Sequence, residues 1–102
     1  MSQSLDPRLM ALHRGFLTDA LAAVRELEAL LRSGGEREES IRTHAHRLRG
    51  TGGAYGYGAL SEAAGALEEA WLAQADVERL ASLASELERE VRLPLERLEE
   101  VA

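Results

Sequence analysis

Histidine is the side chain best suited to nucleophilic and proton-transfer chemistry at neutral pH. Two of the three histidines in this 102-residue chain, His44 and His46, open the stretch HAHRLRGTGGAYGYG, which also holds two arginines and five glycines. Three readings of that stretch fail on spacing. The glycines do not form G-x-x-x-x-G-K-[ST], and there is no lysine anywhere to complete a P-loop. They do not fit G-x-G-x-x-G either, since Tyr55 stands at the third glycine position. Two histidines two apart on a helix point in different directions, unlike the i, i+4 pair of a helical zinc site, so no metal site is expected. What is left is an imidazole flanked by Arg42 and Arg49 and by bare backbone at Gly50, Gly52 and Gly53.

The rest of the composition narrows the chemistry further. With no cysteine, thiolate metal sites, disulfides and thiol nucleophiles are excluded, and with all 12 basic residues arginine, so is lysine chemistry. A net charge of −6 argues against a nucleic-acid partner, which would call for a basic face. No apolar run approaches the roughly 18 residues of a membrane span, and the opening MSQSLDPR has no basic segment leading into an apolar one. The expectation is a single cytoplasmic domain over residues 1–102, with no membrane association.

Positioning a histidine falls to helices, because three/four spacing of apolar residues runs through most of the chain. A first helix opens at Asp6-Pro7, an N-cap followed by proline. Its stripe is Leu9, Leu12, Phe16, Ala20, Ala23, Leu27 and Leu30, and Gly34-Gly35 stops it. A second starts near Glu36 and carries Ile41, Ala45, Leu48, Gly52 and Tyr55 on its core face. A third carries Leu60, Ala64, Leu67 and Trp71 on one face. A fourth, capped by Asp76, buries Val77, Leu80, Ala84, Leu87 and Val91, and Pro94 should break or kink it near Leu93. A short C-terminal helical segment with Leu95, Leu98 and Val101 follows. Short connections and no β-type alternation predict an all-α fold, an antiparallel up-down four-helix bundle.

At about 100° per residue, His46 falls roughly 140° from the middle of its helix's core stripe, on the solvent face with Arg42, Arg49, Gly50 and Gly53. His44 falls at the edge of the core, half-buried. His13 flanks the first stripe as a packing histidine. Two readings of Gly50, Gly52 and Gly53 stay open. Either the helix ends at Arg49 and the glycines form a loop, or it continues and leaves bare backbone where another protein can approach His46. Glu68 also has two readings. It lies beside the third helix's stripe and can reach the second helix if the two pack antiparallel, or it is an ordinary solvated glutamate.

The string AHRLRGTGGAYGYGAL, with Leu67-Glu68 further on, resembles the histidine-containing phosphotransfer (HPt) domain family. The family pattern is histidine, any residue, leucine, a basic residue and glycine, then small residues to a second glycine. It reads here as His46, Arg47, Leu48, Arg49, Gly50 and onward to Gly56. Leu60 and Phe16 agree with the family's four-helix bundle, and Arg49 stands where lysine is usual. The resemblance implies a phosphocarrier with no ATP site of its own, not an enzyme, accepting and donating a phosphoryl group on His46. Arg49 would hold the phosphoryl oxygens, and Glu68 would orient the imidazole, as glutamate does at that place in some kinase-attached members. Arg42, Gly50 and Gly53 would form the docking face. The implied partners are a response-regulator receiver domain, a histidine kinase or both, acting on a monomer. No cofactor is implied on this chain; magnesium belongs to the receiver. Two alternatives remain: the phosphoacceptor domain of a chemotaxis-type histidine kinase, and a helical interaction module without phosphotransfer.

Overall fold

The computed structural model describes residues 6–101, so the expected absence of a leader at residues 1–5 lies outside the described residues. Four helices follow one another: α1 Pro7–Arg32, α2 Glu39–Ala54, α3 Gly58–Leu72 and α4 Val77–Val101. They pack as a closed ring, α1 on α2, α2 on α3, α3 on α4 and α4 on α1, around one shared core. This is the antiparallel four-helix bundle expected. None of these helices is long and apolar enough to cross a membrane.

The helix ends follow the capping residues. Asp6 accepts a hydrogen bond from the Arg8 amide, and Asp76 accepts one from the Arg79 amide, each at 2.9 Å. Gly34 takes the left-handed conformation after α1, with φ +86°, and Gly56 takes it between α2 and α3, with φ +88°. α2 begins at Glu39 rather than near Glu36. The Glu36 carbonyl accepts from the Trp71 indole at 3.0 Å, and Arg37 donates to the Ala75 carbonyl, so the α1–α2 connection is tied to the α3–α4 end instead of joining the helix. The glycine run stays helical through Ala54, which settles the loop alternative in favour of a continued helix.

The core differs from expectation in the phase of α1. Its buried residues are Leu17, Ala20, Val24, Leu27 and Leu31. Phe16 and Leu30 sit at the edge, while Leu9 and Leu12 are 48% and 59% exposed. The apolar face of α1 is wide enough to include both sets, and α1 packs more extensively on α4 than on α2, which turns Leu17, Val24 and Leu31 inward. On α4, Val77 is exposed at the first helical position, and Leu83 joins Leu80, Ala84, Leu87 and Val91 in the core.

Pro94 does not separate a C-terminal segment. α4 runs unbroken from Val77 to Val101, with the proline inside it. A proline there removes one backbone hydrogen bond and crowds the carbonyl four residues earlier. Leu95 and Leu98 beyond it pack against the core, and this burial holds the final turns in helical register.

Between α1 and α4, the Glu28 carboxyl is raised above its ordinary value, first by partial burial and then by the nearby Glu88 charge, with Arg32 and Arg25 pulling the other way. A carboxyl raised in the folded state adds stability that is fully present below its unfolded value, near 4.5, and is lost as pH climbs through the folded value. Glu28→Gln is therefore expected to raise the melting temperature at pH 7 and to change it much less at pH 4. Equal shifts at the two pH values would show that Glu28 carries no such linkage.

Candidate functional site

Gly52 sets how closely α2 and α3 approach. A Cβ there would lie 2.7 Å from Leu60 Cδ2 and 3.5 Å from the Ser61 backbone nitrogen, so the helices meet where one has no side chain. The antiparallel register follows from this contact. Moving from Gly52 back along α2, Arg49 comes against Ser61 and Gly65, and His46 comes opposite Glu68. Ser61 Oγ donates to the Arg49 carbonyl at 2.7 Å and pins that turn of α2 to α3.

His46 is displayed as its helical phase requires, with 66% of its side chain exposed. Its Nδ1 lies 2.9 Å from Glu68 Oε2. The Glu68 side chain is only 8% exposed, and a buried carboxylate has to be compensated by donors or cations. Arg42 Nη1 stands 3.7 Å from Oε2, and Arg49 Nη1 stands 3.6 Å from Oε1. A carboxylate beside two guanidinium groups accepts, and Nδ1 is the ring nitrogen placed to donate to it. Nε2 is the other ring nitrogen, and among the described residues it has no hydrogen-bond partner. Of the two readings of Glu68, the buried one that reaches α2 is what the fold contains.

The remaining expected residues are placed as follows. Arg42 is drawn inward, with Nε 3.3 Å from both Glu39 carboxylate oxygens as well as near Glu68. Gly50 is exposed, and a Cβ there would meet nothing within 4 Å. Gly53 is also exposed but faces α3, where a Cβ would lie 3.6 Å from Ser61 Oγ. His44 is half-buried, and its Nε2 lies 2.7 Å from Glu26 Oε2 on α1. The two histidines thus meet their carboxylates through opposite ring nitrogens. His13 packs edge-on against Tyr55 and Tyr57, with Nδ1 2.7 Å from the Tyr57 hydroxyl. The Glu26–His44 and Glu39–Arg42 contacts were not anticipated. Glu39 had a signal, an acidic residue three before an arginine on one helix face; Glu26 lies on another helix and had none.

A family model, the Hpt domain, matches residues 11–101. The chain belongs to the Hpt domain family. No curated protein and no solved structure matches it significantly. As an Hpt domain it is a histidine phosphotransfer module of two-component signalling, a class whose partners are receiver domains and kinases. Among its described residues no group of three or more histidine, cysteine, aspartate or glutamate side chains could hold a metal ion.

Proposed function

We propose that this Hpt domain carries a phosphoryl group on Nε2 of His46, taken from a receiver aspartate and passed to another. The observation that carries the reading is the exposed imidazole with Nδ1 held 2.9 Å from a buried carboxylate. In the transfer, the Nε2 lone pair forms the N–P bond as the P–O bond to the donor aspartate breaks, and that electron pair returns to the donor carboxylate. Nε2 carries no proton, so none has to leave it. The ring becomes cationic, and Glu68 faces the new charge. Phosphoryl transfer is governed by positioning and charge, and Arg49, one turn from His46, supplies donors for the phosphoryl oxygens. The domain is a carrier rather than an enzyme, with no nucleotide site of its own. Incubation with a phosphorylated receiver domain tests the reading. Acid-labile, base-stable label on this chain is expected, and its absence overturns the proposal.

Gly50 and Gly53, with Arg42, form the face a receiver covers. Gly50→Leu is expected to stabilise the fold by about 1 kcal/mol, since leucine is the better helix residue and open space surrounds the position. The same change should slow transfer from a receiver while affecting phosphorylation by phosphoramidate much less. Equal losses with the two donors would remove Gly50 from the docking face.

A further inference from the structure

Glu68 Oε1 is buried and has no hydrogen-bond partner among the described residues. The cation nearest to it, Arg49 Nη1, stops at 3.6 Å, too far for a hydrogen bond. The Arg49 backbone is pinned by Ser61, yet half of its side chain is exposed, 52% by area. That side chain lies across α3 over Gly65. A Cβ at Gly65 would stand 3.3 Å from Arg49 Cδ and Nε and 3.6 Å from Cζ, the three atoms nearest to it. Gly65 is in the middle of a helix, where glycine is disfavoured, and does not have positive φ. Clearance for Arg49, not backbone freedom, is what the missing side chain provides.

We propose that Glu68 and Gly65 form a resting berth for the Arg49 guanidinium, which leaves it for the phosphoryl oxygens when His46 is phosphorylated. This rests on His46 being the phosphoacceptor. The charges around Glu68 exchange in step. Transfer starts from an Nε2 lone pair, with Arg49 supplying a counter-charge to the carboxylate. Once the N–P bond has formed the ring is cationic, and the guanidinium is free to meet three strong acceptor oxygens. A half-exposed ion pair without a hydrogen bond is weak enough to part. Gly65 is therefore a positioning residue that acts through Arg49. It favours the unphosphorylated state, because only that state occupies the berth.

The test is the equilibrium of phosphoryl exchange between a receiver and this domain. Gly65→Val fills the berth and is expected to shift the exchange toward phosphorylated His46 by about two- to fivefold, the range for an exposed ion pair. Arg49→Ala should shift it the opposite way, and adding Gly65→Val to Arg49→Ala should then do nothing further. The milder Gly65→Ala should shift the exchange in the same direction as valine but less, and it covers the case in which valine disturbs folding. Independently, the Arg49 Nε–H resonance should move when the wild-type protein is phosphorylated with phosphoramidate and should start from a displaced position in Gly65→Ala. A Gly65 effect of equal size with and without Arg49, or an Arg49 resonance indifferent to phosphorylation, overturns the berth while leaving His46 as acceptor. Failure of the wild-type protein to take label at His46 overturns both.

Discussion

His46→Gln is expected to abolish labelling by a phosphorylated receiver completely and to leave the fold intact. Loss should be total because neither of the other histidines combines an exposed ring with an Nδ1 held by a buried carboxylate. His44 directs its Nε2 at Glu26, 2.7 Å away, and is largely covered. His13 is part-buried, packed edge-on against Tyr55 and Tyr57 with its Nδ1 2.7 Å from the Tyr57 hydroxyl. The fold should persist because two-thirds of the His46 side chain already lies in solvent, 66% by area, and solvent-facing substitutions usually change stability by less than about 0.5 kcal/mol. His44→Gln should keep its label and lose some stability, since it gives up an α1–α2 contact. Label that survives at full level in His46→Gln and disappears in His44→Gln would reverse the assignment. Thermal melts followed by fluorescence of Trp71, the single tryptophan, separate loss of label from loss of fold.

Glu68→Ala is expected to slow phosphorylation of His46 by roughly 10- to 100-fold, by analogy with the loss of a carboxylate that orients a metal-bound imidazole. In the proposed transfer the carboxylate fixes the hydrogen on Nδ1 and so leaves Nε2 as the nucleophile. Without it, the ring is free to turn and to place its hydrogen on either nitrogen. Two-bond proton–nitrogen NMR spectra should show the Nδ1–H form in the wild type and a mixture in Glu68→Ala. Receiver binding should change little, because Glu68 is buried beneath the docking face. An unchanged tautomer together with an unchanged rate would reduce Glu68 to a structural counter-ion for Arg42 and Arg49.

Much of this architecture is legible in the residues, and the failures have identifiable causes. The exposure of His46 follows from helical phase alone, since Ile41, Ala45 and Leu48 leave only one face for the core. The same arithmetic chose the wrong edge of α1, because two rows one residue apart, Phe16-Ala23-Leu30 and Leu17-Val24-Leu31, are both apolar. Only the placement of α4 decides between them. Pro94 argued for a break that the packing of Leu95 and Leu98 overrides. Glu68 was legible as a position able to reach α2, whereas its burial depends on how near α3 comes, which no local pattern states. That Arg49 lies across Gly65 was not legible, because the contact joins residues of different helices.

The clearance at Gly52 extends beyond its own contact with Leu60. His46 and Glu68 sit on separate helices about two turns away from that contact, and the gap between them depends on the distance at which it holds the two helix axes. An added methyl there meets the end of the Leu60 side chain first, at 2.7 Å, with the α3 backbone at ordinary contact distance, so Leu60 must repack inside the core before the helices part. The position thus bears on the site through the core side chain it lodges, without touching the imidazole. It follows that a substitution remote from the imidazole can still be felt by the helix pair that carries it.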